Sequence, residues 1–177
     1  YVMILGLDVS TSITGYTIIE NGNVVLNGAW DTRKYKDFFK KAEVVKEGLH
    51  KIYEEYGDGI DAVYIEQSLQ SFRSGFSSAK TLSTLARFNG IVSWVIYSHF
   101  GKTPEYIAAT SARKLCGIKV PRGQKAKQVV IQYLLDNEPA FKIEYTRTGK
   151  PKPYCFDMAD SLIIAKAGYI CENESKS

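Results

Sequence analysis

Cysteine and histidine are scarce in this chain, with three Cys and two His in 177 residues. Cys116, Cys155 and Cys171 are spaced like neither a zinc cluster nor a disulfide framework, which points to a reducing, intracellular and cytoplasmic setting. His50 and His99 match no signature and read as structural or surface residues. No apolar run approaches the roughly 18 residues of a membrane span, and no signal-peptide pattern opens the chain. Tyr1 in place of methionine suggests a trimmed start. Internal repeats and a second phosphate-binding glycine loop are also missing. What is left, 45% hydrophobic and 24% charged, is one folded domain over residues 1–177.

Acid is missing from one region in particular. Residues 67–135 hold ten Lys/Arg and a single acid, Glu105, a balance of +9, whereas residues 1–66 balance to −4 and residues 136–177 to −1. A solvated face explains many such runs. Here the basic region begins directly after Glu66, so a polyanion held beside an acidic site is the simplest partner.

Short apolar runs predict strands at 2–9, 14–20 and 24–30, the last two joined by Asn21-Gly22, which suits a type I′ turn. Helical spacing follows at 36–56, then a strand at 62–66, a helix at 77–100, a strand at 105–109, and helices at 123–137 and 157–171. The order β-β-β-α-β-α-β-α-α implies an α/β fold: a mixed five-stranded sheet, antiparallel for three strands, with parallel additions and flanking helices. Trp30 and Trp94 are expected in the core, and small residues on the 77–100 helix suit packing of some kind. The stretches 67–75 and 142–154 read as irregular and rich in basic and aromatic residues.

Acids stand where apolar patterns end. Asp8 closes the first strand, Glu66 closes the fourth, and Asp157 and Asp160 open the final helix at i, i+3 on one face. Each has a plain alternative: Asp157 as a helix cap, Glu66 as a solvated edge residue. Asp8 is hardest to dismiss, since a lone acid in Leu-Asp-Val is seldom tolerated unpartnered. Together they form a hard-oxygen donor set suited to Mg²⁺, two ions per site, for phosphodiester cleavage. Mutual repulsion without metal predicts raised pKa values.

Three segments carry a resemblance: Gly6-Leu7-Asp8-Val9-Ser10-Thr11-Ser12-Ile13-Thr14-Gly15-Tyr16, Ile65-Glu66-Gln67, and Asp157-Met158-Ala159-Asp160-Ser161-Leu162. They resemble the signature segments of RuvC-type Holliday-junction resolvases, of the RNase H-like nuclease superfamily. Ala86 to Gly90, Tyr106 to Ala109 and Gln124 to Val129 extend the likeness in the same order. The resemblance implies an RNase H-like fold and a homodimeric endonuclease. Such an enzyme nicks opposed strands of branched DNA, a four-way junction above all, with flaps or forks as further substrates, and leaves 5′-phosphate and 3′-hydroxyl ends. It puts the catalytic, metal-holding acids on Asp8, Glu66, Asp157 and Asp160, and a DNA-contacting lysine on Lys125. A second lysine of the family has Arg113 or Lys114 as its nearest counterpart. Leu69 stands where the family has an aromatic, so that either Phe72 takes that role or the role is absent; Val9-Ser10 replaces a proline-glycine. Arg73, Lys80, Arg122, Lys127, Arg147, Lys150 and Lys152 complete the expected DNA surface, and the 77–100 helix is expected at the dimer interface.

Three rivals remain. A ribonuclease acting on RNA or RNA:DNA hybrids would share the fold and acids. An actin-like ATPase lobe shares the opening Asp-Ser/Thr turn but needs a second lobe. A non-catalytic DNA-binding protein would gain from losing the acids, and all four are intact.

Overall fold

The computed structural model describes residues 2–67 and 78–176. Five strands form one sheet in the order β3-β2-β1-β4-β5. Strand β1 (Met3–Asp8) pairs antiparallel with β2 (Ile13–Glu20), which pairs antiparallel with β3 (Asn23–Asp31). On its other side β1 pairs parallel with β4 (Ala62–Glu66), and β4 pairs parallel with β5 (Glu105–Ile107). This is the mixed α/β sheet that the order of the elements implied. Asn21 and Gly22 take φ of 49° and 88°, the two positive values a type I′ hairpin demands.

Helix α1 (Phe38–Tyr56) is N-capped by Asp37, whose carboxylate accepts from the Lys40 amide, and ends at Gly57. Helix α2 (Ala79–Phe100) starts on a Ser78 cap and stops at Gly101 in the left-handed region. Three further helices follow: α3 (Ala109–Leu115), α4 (Ala126–Asn137) and α5 (Tyr154–Lys176). None of the described helices is long and apolar enough to cross a membrane.

Strand alternation sorts the core into two layers. Met3, Leu5, Leu7, Val63 and Ile65 face Val45, Leu49, Phe88, Val92 and Ile96 of α1 and α2. Val2, Ile4 and Tyr64 face α5, through Met158, Ala159, Leu162 and Ile163. Asp8 and Glu66 continue the second set by period two, so both point to the α5 side.

Contact on that side is very close. A β-carbon on Gly6 would overlap Ala165, one on Gly15 would overlap the Asp157 carbonyl, and one on Gly168 would reach within 2.6 Å of Tyr64. The glycines let α5 lie directly on the sheet. A buried polar seam fixes its register: Thr17 and Ser161 hydroxyls are 2.8 Å apart, and Asn27 Nδ2 donates to Thr17 Oγ1 at 2.8 Å and to the Met158 carbonyl at 3.1 Å.

Several expectations need correction. Strand β5 ends at Ile107 and a short helix, α3, follows; with only seven residues and one buried side chain, Ala112, it leaves almost no periodic signal. Helix α5 begins at Tyr154, three residues before the expected start. Trp94 is 66% exposed rather than in the core. Trp30 is half-buried and stacks on Tyr16 at 4.4 Å. His50 is exposed, and half-buried His99 meets it edge-on.

Candidate metal centre and nucleic-acid interface

Asp8 lies at the end of β1, and the register Leu7↔Ile65 makes Glu66 its neighbour on the adjoining strand. Strand β4 is paired on both sides, so Glu66 is not a solvated edge residue. Asp8 also pairs across the ladder with Gly15, whose missing side chain lets the Asp157 backbone seat itself there. One glycine thus brings the first turn of α5 onto the end of the sheet that carries Asp8 and Glu66. Asp157 lies inside that first turn rather than at the cap, and Asp160 is one turn on.

The four acids share one electrostatic field. Burial pushes the Asp8 carboxyl well above the ordinary range, and the charges of Glu66, Asp160 and Asp157 add to the effect. Burial also raises Asp160 to about 7, reinforced by Glu66 and Asp157 and opposed by Lys127 and Arg113. Asp157 is pushed up to about 6 by burial, against the pull of Lys127 and its own backbone amide. Asp8 lies within hydrogen-bonding reach of both Glu66 and Asp157. Among the described residues no group of three or more Asp, Glu, His or Cys side chains is arranged to hold a metal ion. The acids converge as a mutually repelling group, in which Asp8, Asp157 and Asp160 hold their protons to higher pH than a free aspartate.

Around them the expected basic residues divide. Arg113, in the last turn of α3, lines a crevice with Glu66 and Asp160. Lys127, in the first turn of α4, lies 6.0 Å over the Phe156 ring, and its charge reaches both α5 acids. Lys125 occupies the N-cap position of α4, while Lys80, Lys114 and Arg122 are exposed. Arg147 and Lys150 lie exposed between the bridged residues Tyr145 and Pro151. Lys152 is paired with Glu144 at 3.1 Å. Phe72, Arg73 and Leu69 lie outside the described residues.

Sequence reasoning missed the residues that position the acids. Gly15 and Ser161 stood inside the signature-like segments, but only the fold gives them work. Asn27 carried no signal at all.

The chain is 33% identical over 131 residues to a crossover junction endodeoxyribonuclease RuvC of Geobacter sulfurreducens, covering 72% of this chain and 76% of that one. The protein of the same name from Geotalea uraniireducens is 36% identical over 135 residues, 74% and 72% of the two chains. That of Aliarcobacter butzleri is 28% identical over 165 residues, 92% and 94%. Among solved structures, T. thermophilus RuvC in complex with Holliday junction substrate matches with a TM-score of 0.70 over 98% of this chain and 96% of that one, at 13% identity. The fold is therefore the RNase H-like one. No protein-family model matches.

Proposed function

Because the chain belongs to the RuvC family of crossover junction endodeoxyribonucleases, we propose that it resolves four-way DNA junctions by phosphodiester hydrolysis at Asp8, Glu66, Asp157 and Asp160. The observation that carries this reading is the meeting of four acids from β1, β4 and α5 at one end of the sheet, Asp8 buried and the other three half-buried, with Asp8, Asp157 and Asp160 raised by burial and by the charge of Glu66. An all-carboxylate set without imidazole or thiolate fits Mg²⁺, two ions per site, with Mn²⁺ as substitute. Such ions, when bound, supply a water nucleophile at neutral pH and counter-charge for the leaving oxygen. Asp8, Glu66 and Asp160 would hold the ions, and Asp157 would orient a ligand or water beside them.

The protein's own cations do the rest. Lys127 and Arg113 already oppose the acids' charge, and they hold the scissile strand against that repulsion. Lys80, Lys114, Arg122, Lys125, Arg147 and Lys150 extend the surface along the arms, and Phe72 and Arg73 belong to the same proposed surface. Lys152 joins once its exposed pair with Glu144 opens, a small cost. Two opposed nicks leave 5′-phosphate and 3′-hydroxyl ends; flaps and forks are further substrates. The three free cysteines fit a reducing, cytoplasmic setting.

Paired nicking needs two sites, and α2 offers the surface. Trp94 (66% exposed) and Tyr97 (51% exposed) stack at 6.0 Å, and Gly90 beside them has open space where a side chain would be. Tyr106, half-exposed, continues the patch through a 2.7 Å hydrogen bond to Ser93. A homodimer formed on this face sets two sites on a two-fold substrate.

The test is cleavage of labelled four-way junction, flap, linear duplex and RNA:DNA hybrid by the chain and by Asp8→Asn, with Mg²⁺ or EDTA. Junction cleavage that needs metal and Asp8 is expected. Cleavage of the hybrid alone would replace the resolvase reading with a ribonuclease, and cleavage in EDTA would overturn the mechanism.

A further inference from the structure

Counting charge by thirds hides a basic cluster in the acidic one. Five of the seven Lys/Arg of residues 1–66 are Arg33, Lys34, Lys36, Lys40 and Lys41, with Asp37 as the one acid among them. They form the corner between β3 and α1.

That corner is clamped to the turn that follows Asp8. The Thr32 amide donates to the Ser12 carbonyl at 2.8 Å, and its hydroxyl donates to the Thr11 carbonyl at 2.8 Å. Lys41 Nζ donates to the carbonyls of Thr11 at 2.7 Å and Thr32 at 3.2 Å. Arg33 is held by both Asp31 oxygens, at 2.9 Å from Nε and 2.6 Å from Nη2, and Asp157 lies within Coulombic reach of it. Strand order puts this corner on the β3 side of the site, whereas Arg113 comes from beyond β5.

Its outward groups are unspent. Lys34 lies 5.0 Å over Tyr35, and both Lys34 and Lys36 are exposed without an ion pair among the described residues. Phe39 is 66% exposed, a large apolar surface in a cationic setting. It rests edge-on against Phe38, which is edge-on to the buried Phe88 and lies under Arg87 at 5.7 Å. The exposed ring therefore stands on a fixed base. Exposed aromatic and lysines together are the surface that stacks unpaired bases and holds their phosphates.

We infer that the 33–41 corner is a second DNA-binding wall, with Lys34 and Lys36 on phosphates and Phe39 stacked on a base unpaired at the branch point. This rests on the branched-DNA reading and deepens it: the acids lie between two cationic walls, one from the β5 side and one from the β3 side.

Binding of the full chain to fluorescent four-way junction in EDTA, across a salt series, tests this without cleavage. Lys34→Glu/Lys36→Glu should weaken binding at least tenfold and flatten the salt slope by about 2, near 0.9 for each phosphate left without its lysine. Lys46→Glu/Lys51→Glu makes the same charge change farther along α1 and should stay within about twofold. Phe39→Ala should weaken binding about tenfold and abolish quenching of a 2-aminopurine at the branch point. Thermal unfolding checks that each variant folds. Equal weakening by the two lysine pairs would overturn the wall, and unchanged quenching in Phe39→Ala would overturn the stacking. If the parent ignores junctions but binds single-stranded DNA through Lys34 and Lys36, the wall stands and the resolvase reading falls. Absence of any nucleic-acid binding would sink both.

Discussion

Helices α5 and α2 are nearly equal in length, 23 and 22 residues, yet their surfaces are used differently. Along α5 the inward face is consumed by the fold: Asp157 seats on Gly15, Ser161 bonds Thr17, Ala165 meets Gly6 and Gly168 meets Tyr64. Along α2 the buried positions are Phe88, Asn89, Val92 and Ile96, and the outer face carries Gly90, Trp94 and Tyr97 in the open. Glycine makes the lesson concrete. In α5 it allows close approach, whereas in α2 Gly90 costs about 0.5 to 1 kcal/mol of helix stability relative to Ala with nothing among the described residues to explain it. A helix surface the fold leaves unexplained is one to assign to another molecule.

The sharpest way to break this contrast is Gly15→Ala. Its methyl overlaps the Asp157 carbonyl, so α5 must move away from β2; a loss of about 3 kcal/mol is expected, with cleavage falling more than junction binding. Wild-type unfolding temperature and cleavage would show that α5 is not seated by that contact.

On α2 the counterpart is Trp94→Glu. Placing a charge at the centre of the exposed aromatic pair should weaken self-association about 100-fold, or about 2.7 kcal/mol, with the protomer fold intact, as read by sedimentation. A parent monomeric at every concentration would dissolve the contrast and the dimer with it.

The acids on α5 give a pH test. Asp157 and Asp160, raised to about 6 and 7, bind protons more tightly in the folded chain than in the unfolded one, where an aspartate titrates near 4. Their stabilisation is fully present below the unfolded value and is lost as pH rises through about 6 and 7. Without metal the chain should therefore be more stable at pH 5 than at pH 8, by an amount on the order of 2 kcal/mol. Mg²⁺ should remove that slope. Equal unfolding temperatures at the two pH values would mean that the acids do not share a field.

The smallest effects come from Ala at each helix glycine. Gly168→Ala should cost about 1 to 2 kcal/mol through its clash with Tyr64 and Ile4. Gly90→Ala should raise the unfolding temperature of the dilute protomer, a gain of about 0.5 to 1 kcal/mol, while weakening the dimer. The same sign at both positions would erase the distinction.

Much of this was legible in the residues because it depends on local periodicity. Apolar runs in Met3–Asp8 and Ala62–Glu66 placed both acids at strand ends, and Asn21-Gly22 announced its hairpin. The i, i+3 spacing of Asp157 and Asp160 placed them on one helix face, although α5 begins earlier, at Tyr154. Trp94 was misjudged because an aromatic at helical spacing looks the same whether it faces the sheet or solvent. The 33–41 cluster was lost in a regional charge average.

By itself the sequence determined the strand-helix order, the donor chemistry of four acids, and a cationic surplus, since each follows from residue type and short-range spacing. Tertiary structure decided that residues 8, 66, 157 and 160 share one field, that Gly15 is the seat of α5, and that basic residues stand on both sides of the site. Those facts depend on strand register and on Coulomb interactions in a buried setting, which act between residues up to about 150 positions apart.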